Sequence, residues 1–138
     1  PAIRMAEAHV KSGGNTYMYY VTAPEAGNGM GVIHAMELAL LFSNKNVLED
    51  NDNLYTGDTS YSIDVELKDV IKEMWTNFAK TGNPSTDKYG WEPYDLESRK
   101  TMFLGYDIEI VENPVEEARE LISDMLKETK IGLPRELC

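Results

Sequence analysis

A short apolar run, placed between a turn and a glycine-rich loop, constrains the fold of this chain most strongly. Residues 16–22 are Thr-Tyr-Met-Tyr-Tyr-Val-Thr, an aromatic and β-branched run without clean alternation of polar and apolar positions. A strand that is covered on both faces, as in a parallel sheet, has this character. A predicted helix over residues 2–10 and a predicted turn at residues 12–15 precede it. Helix, turn and buried strand in succession predict part of an α/β layer architecture.

The rest of the chain continues this mixture of helices and short strands. The strongest predicted helix covers residues 63–80 and ends at Gly82 and Pro84. Short strands are predicted on either side of Gly105, and Pro114 is predicted to open a final amphipathic helix. Residues 43–61 are polar and are predicted to run over the surface. The side chains predicted for burial are Ile3, Met5, Ala6 and Val10 in the first helix, Leu67, Val70, Ile71, Met74, Trp75 and Phe78 in the strongest helix, and Val115, Ala118, Leu121, Ile122 and Met125 in the last helix.

Charge and cysteine content limit the partners and the compartment. The 138 residues include 24 acidic and 13 basic side chains, for a net charge of −11. Such a surface repels phosphate backbones and anionic membranes, so we expect no nucleic-acid partner and no membrane contact. No run reaches the roughly 20 apolar residues of a membrane-spanning helix. The single cysteine, Cys138, forms no intrachain disulfide, and this is consistent with a reducing, cytoplasmic location.

His34 is the clearest candidate for chemistry. It follows a glycine-rich loop at residues 24–31 and directly precedes an apolar run with helical spacing. A histidine held in such a place can be fixed by the fold while its ring still faces a cleft, which is the geometry that a general base requires. Taken alone, however, a histidine near an apolar helix is more often structural than catalytic. His9, on the face of the first helix, is assigned a structural role.

Other reaction centres are not predicted. The loop glycines lack the spacing of phosphate-binding motifs. Residues 50–58 superficially resemble a calcium loop, but the EF-hand spacing fails and we expect a solvated turn. No cysteine and histidine cluster exists for zinc, and no cofactor or metal is predicted. The G-x-S-x-G pattern, which exposes a nucleophilic serine at a strand-to-helix turn, is absent. A complete catalytic apparatus therefore cannot be assembled from these residues.

Several motifs nevertheless resemble one enzyme family. Residues 31–38, Gly-Val-Ile-His-Ala-Met-Glu-Leu, with Phe42 beyond them, resemble the catalytic-histidine motif of the type-B carboxylesterases, the esterase and cholinesterase family of α/β hydrolases. Further segments resemble the family's strand before the histidine loop (residues 17–19), its tryptophan-phenylalanine helix with a Gly-Asn-Pro stop (75–84), and the stretch leading to its final strand (91–95 and 99–102). Order and spacing agree over about residues 1–126, and the similarity is greatest to bacterial, para-nitrobenzyl-esterase-like members.

The resemblance implies both a fold and a role. It implies that residues 1–138 are the C-terminal segment of a single α/β-hydrolase catalytic domain, an α/β fold with a few strands of the central sheet and their packing helices. It implies that His34 is the catalytic histidine for hydrolysis of a small-molecule ester, while the serine, the acid and the oxyanion hole lie upstream of Pro1. Glu37 and Gly31 would support the histidine loop, and Glu37 fits a plain carboxylate at a helix start equally well.

Two departures from the family pattern affect the shape of the loop. Ala39 stands where many bacterial members have proline, and Val32 and Ile33 are bulkier than the small residues often seen before the histidine. Both changes would alter the loop or the lining of the acyl pocket. Neither removes the imidazole.

Other interpretations stay open at this point. Some members of the family have lost the serine and act as recognition modules, although a binder has no need to keep His34. An unrelated acidic interaction domain is a third interpretation. In the carboxylesterase interpretation, we expect the isolated chain to be inactive toward esters. We also expect it to self-associate or to need its N-terminal portion, because its strand would lack neighbours and its helices would present uncovered apolar faces.

Overall fold

The structure, a computed structural model, describes residues 1–23, 31–42 and 65–128. Within these ranges the chain forms four helices and three strands, which confirms the predicted mixture. In chain order they are α1 (Ala2–Lys11), β1 (Met18–Val21), α2 (Met36–Phe42), α3 (Val65–Thr81), β2 (Thr101–Leu104), β3 (Ile108–Val111) and α4 (Glu116–Glu128). The predicted surface excursion over residues 43–61 lies outside the described residues.

The three strands form one sheet in the order β1–β2–β3. A short turn that begins at Gly105 joins β2 to β3, so these two strands pair as an antiparallel hairpin. The Thr22 N–H, directly after β1, donates to the Leu104 carbonyl at the end of β2 over 2.9 Å. β1 and β2 therefore end side by side, as parallel neighbours do, and the sheet is mixed.

The prediction that β1 is covered on both faces is wrong for this chain. Tyr19 and Tyr20 point to opposite faces of the strand, and they are 37% and 53% exposed. Among the described strands β1 has a neighbour on one side only, because it stands at the edge of the sheet. A strand in this position is covered less than a central strand.

The chain divides into two compact units. The first comprises Pro1–Met18, Pro93–Thr101 and Val111–Cys138, and the second comprises Tyr19–Glu92 and Met102–Ile110. In the first unit, Arg99 forms an ion pair with Glu7 of α1 and donates to the Tyr94 hydroxyl over 3.0 Å. The Tyr94 N–H donates to the Thr16 carbonyl over 2.7 Å. These contacts tie the segment before β2 to α1 and to the chain that follows it.

His9 also has a structural environment in the first unit. Its Nδ1 lies 2.8 Å from Thr16 Oγ1. Its ring occupies the space beside Gly14, where a Cβ would overlap the imidazole. Gly13, with a φ of +86°, reverses the chain between α1 and this contact, which confirms the predicted turn.

The second unit has its core along α3. Three side chains of this helix, Leu67, Ile71 and Met74, are buried at the predicted helical spacing, and α2 packs against α3. The Gly82 N–H, at a φ of +77°, donates to the Phe78 carbonyl over 2.8 Å, which confirms the predicted end of the helix. Phe78 itself was predicted to be buried but is half exposed, because it lies in the last turn beyond the buried stripe. The buried apolar residues of this unit are Ala23, Leu40, Leu67, Ile71, Met74, Trp91, Met102 and Leu104.

Two helices of the first unit expose apolar side chains that the sequence predicts to be buried. On α4, Leu121, Ile122 and Met125 are 63%, 56% and 56% exposed, and Met5 of α1 is exposed as well. A helix side of this kind is buried only where another surface covers it, and the described residues leave the apolar side of α4 open to solvent. The predicted burial of this side is therefore wrong for the chain by itself, whereas the expectation of uncovered apolar helix faces is confirmed.

Candidate functional site

His34 lies in a tight turn directly before α2, and its side chain is exposed. Gly31 has a φ of +65° and Ala35 a φ of +68°, so a left-handed residue stands on each side of the histidine. Glycine adopts this conformation readily, but it is costly for alanine. The Leu38 N–H donates to the Ala35 carbonyl over 3.1 Å. The first turn of α2 therefore fixes the residue that follows His34.

The helix that carries this turn is anchored in the core of the second unit. Leu40 is 2% exposed, and α2 packs against α3. Leu38 and Phe42 of the same short helix are exposed. The segment thus combines a buried anchor, an exposed imidazole and exposed apolar side chains, which is a suitable arrangement for acid–base chemistry on a partly apolar molecule.

Glu37 lies half-buried in the first turn of α2. The helix begins at Met36, after His34, so the helical spacing that would put His34 and Glu37 on one face does not apply. The charge of Glu37 acts on Tyr19 of β1. Burial raises the pKa of the Tyr19 phenol above its ordinary value, and the neighbouring Glu37 carboxylate raises this pKa further.

Two indole rings hold Tyr19 in place. The Tyr19 ring centroid lies 5.0 Å from that of Trp75 and 6.4 Å from that of Trp91, with interplanar angles of 67° and 86°. The two indoles are themselves 6.2 Å apart. The structure therefore brings together aromatic residues from three separate sequence motifs, and places Tyr19 within electrostatic reach of the turn that carries His34.

The sequence does not predict that the Tyr19 ring meets Trp75 and Trp91, or that the charge of Glu37 helps to raise the pKa of Tyr19. In the sequence, Tyr19 belongs to a predicted strand, and Glu37 lies three residues after His34. The one available signal was that Tyr19, Trp75 and Trp91 each belong to a recognised motif. Such a signal indicates a shared environment but does not say which side chains meet.

The other candidate sites weighed from the sequence fall largely outside the part of the chain that the structure describes. The acidic segment at residues 50–58 and the glycines Gly27 and Gly29 lie outside the described residues. Within residues 1–23, 31–42 and 65–128, no three His, Cys, Asp or Glu side chains are arranged to hold a metal ion. None of the helices in those ranges has the length and apolar character needed to cross a membrane.

Comparisons with known proteins agree on one family. The model of the carboxylesterase family matches residues 1–122. Para-nitrobenzyl esterase of Bacillus subtilis (strain 168) is 37% identical over 87 residues, which cover 63% of this chain and 17% of that protein. Acetylcholinesterase 1 of Caenorhabditis elegans is 33% identical over 108 residues, which cover 71% of this chain and 16% of that protein.

Solved structures give the same result. A structure of PNB esterase matches with a TM-score of 0.72 at 31% identity, and the match covers 87% of this chain and 24% of that one. An esterase from Clostridium hathewayi, reported to hydrolyse aliphatic aromatic polyesters, matches with a TM-score of 0.71 at 17% identity and shows likeness of fold alone. The chain spans 17% and 16% of the length of the two curated relatives.

Proposed function

This chain belongs to the carboxylesterase family, and we propose on that premise that it supplies the catalytic base, His34, of a serine carboxylesterase. Its mixed sheet and helices are part of an α/β-hydrolase fold. One observation carries the proposal. The segment that resembles the family's histidine motif holds His34 exposed in a turn, between left-handed Gly31 and Ala35, at the start of a helix anchored in the core.

In the proposed reaction His34 moves a proton in both half-reactions. A serine hydroxyl attacks the carbonyl carbon of an ester while the His34 ring takes the hydroxyl proton. The tetrahedral intermediate then collapses, the bond between carbon and the alcohol oxygen breaks, and His34 gives its proton to the departing alcohol. Water enters next: its proton goes to His34 and its oxygen attacks the acyl carbon. The acid leaves as the serine oxygen takes the proton back from His34.

Three neighbours of His34 have supporting roles in this proposal. Gly31 permits the left-handed conformation before the histidine, and Glu37 stabilises the first turn of α2 after it. Exposed Leu38, on the same short helix, provides an apolar surface for the acyl or alcohol part of the ester.

The rest of the machinery is proposed to lie in the part of the fold that these residues do not span. The sequence contains no G-x-S-x-G pattern, and in α/β hydrolases the serine and the acid precede the histidine along the chain. The 138 residues alone are therefore proposed to be inactive toward esters. The open apolar side of α4 is proposed to pack against that remainder or, when the chain is isolated, against a second copy.

Replacement of His34 in the whole protein that carries this chain tests the proposal. His34→Ala is expected to lower kcat/KM for 4-nitrophenyl acetate by about 10⁴-fold or more, because the serine then has no base. His9→Ala is the matched control: it removes the other imidazole of the chain and is expected to leave kcat/KM unchanged. Circular dichroism checks that both variants fold. Turnover by His34→Ala within about tenfold of wild type would contradict the proposed role.

A recognition module without activity is the alternative function. The retained and exposed His34 favours the enzyme, since surface recognition does not require an imidazole in a strained turn. Ester hydrolysis by the wild-type protein supports the enzyme. A folded wild-type protein that lacks the upstream serine and hydrolyses no ester would support the module.

A further inference from the structure

We propose that Leu40 is a positioning residue for His34, and that it acts through the packing of α2 against α3. In this arrangement the buried leucine holds α2 on the core of the second unit, and the start of α2 holds the turn that carries the imidazole. The inference rests on the proposed function, because the direction of the His34 ring matters only if His34 moves a proton.

The shortness of α2 makes its conformation dependent on its surroundings. The helix has seven residues, Met36–Phe42, whereas isolated helices shorter than about 12–15 residues are marginal in water. Tertiary packing therefore has to hold α2 in its helical conformation, and α2 packs against α3. The buried side chains of α3, which are Leu67, Ile71 and Met74, belong to the core of this unit. The position of α2 is consequently set by its contact with that core.

Leu40 ties α2 to this core. It is 2% exposed, whereas Leu38 and Phe42 of the same helix are 47% and 81% exposed. These values place Leu40 on the covered side of the helix and the other two side chains on the open side. Truncation of Leu40 would therefore remove apolar contact from the side of α2 that holds the helix in place.

The start of α2 is joined to His34 through a strained turn. The Leu38 N–H donates to the Ala35 carbonyl over 3.1 Å, so the first turn of the helix includes the residue directly after His34. Ala35 has a φ of +68°, a conformation that is unfavourable for an L-residue. Such a conformation persists only where the surrounding structure imposes it. Burial of a leucine contributes at least as much free energy as a left-handed alanine costs, so the contact of Leu40 with the core is sufficient to maintain this turn.

Truncation of two buried side chains in the whole protein tests the proposal. Leu40→Ala removes the anchor of α2, and we expect it to lower kcat/KM for 4-nitrophenyl acetate by about tenfold or more, because a misplaced base slows proton transfer. Met102→Ala is the matched control, since Met102 is 1% exposed in β2 of the same unit and its truncation opens a comparable cavity. It is expected to keep kcat/KM within about twofold of wild type. Circular dichroism checks that both variants fold, and Leu40→Val and Met102→Val replace the pair if an alanine variant does not.

Two further measurements separate positioning of His34 from a general loss of stability. The NMR signals of the His34 ring should shift in Leu40→Ala but not in Met102→Ala. Ala35→Gly relieves the strain in the turn, so Leu40→Ala should lower kcat/KM less in the Ala35→Gly protein than in wild type. Unchanged His34 ring signals in Leu40→Ala, an equal loss of kcat/KM in Leu40→Ala and Met102→Ala, or an equal loss with alanine and with glycine at position 35 would each overturn the proposal. These results differ from failure of the proposed function, in which His34→Ala itself retains turnover.

Discussion

At the scale of single residues, the backbone beside His34 contains a left-handed alanine, one of several non-glycine residues with a positive φ among the described residues. Ala35 has a φ of +68°, where the Cβ of an L-residue crowds the following carbonyl oxygen. Gly31 meets the same requirement without cost, because it has no Cβ. The histidine is thus held between two reversals of the chain, one of which is strained. Strain of this kind commonly accompanies a functional position.

The conformation of Ala35 leads to a prediction for two substitutions in the whole protein. Ala35→Val is expected to lower kcat/KM for 4-nitrophenyl acetate by about tenfold or more, because a β-branched residue is a genuine outlier in the left-handed region and would move His34. Ala35→Gly is the control, and it is expected to keep turnover near the wild-type value because glycine adopts this φ readily. A valine variant as active as the glycine variant would contradict the role given to this turn.

The residues of the site differ in how far the sequence could predict them. His34 was identified because a local pattern, Gly-x-x-His-x-x-Glu-Leu, surrounds it. The contacts of Tyr19 with Trp75 and Trp91 are not predicted, since the three residues belong to different segments and only the folded chain brings their rings together. Local patterns therefore identify a candidate base, whereas contacts between side chains from distant segments depend on tertiary structure.

At the scale of elements, the sequence predicts which helices and strands form better than it predicts which of their side chains are buried. α3 and the β2–β3 hairpin follow from signals within a few residues: an apolar stripe that ends at Gly82, and two short strands on either side of Gly105. The exposure of β1 and α4 did not follow, because burial of a strand face or a helix side depends on what lies across from it. The sequence predicts burial of Tyr20 from the apolar character of its strand and burial of Leu121 from helical spacing, and both are largely exposed.

Gly105 gives a prediction at this scale, because it lies where β1 and β2 end together. A Cβ at this position would overlap Thr22 Oγ1 and lie 3.2 Å from Thr22 Cβ. We expect Gly105→Ala to lower the free energy of unfolding by about 1–3 kcal/mol, as overpacking does elsewhere, when measured by urea denaturation of the whole protein. Gly90→Ala is the matched control, since a Cβ at Gly90 meets open space. Equal stability of the two variants would contradict the expected steric overlap between a Cβ at position 105 and Thr22.

At the scale of the whole molecule, two features support the same expectation, that this chain is one part of a larger fold. They are the open apolar side of α4 and the short match to larger relatives. The match to the PNB esterase structure covers 87% of this chain but only 24% of that one. Leu121 and Ile122 face solvent in the described residues. Exposed apolar sides of this kind mark surfaces that bind other protein segments. We therefore expect this chain to function as one part of a larger hydrolase fold.

Coexpression of two polypeptides tests most directly whether this chain supplies the base of that larger fold. One polypeptide is this chain, and the other is the remainder of the whole protein with its serine. We expect the two to copurify and to hydrolyse 4-nitrophenyl acetate. The His34→Ala chain should copurify equally well and give a pair that is about 10⁴-fold less active, because the fold is complete but the base is missing. A His34→Ala pair as active as the wild-type pair would contradict the assignment of His34 as the catalytic base.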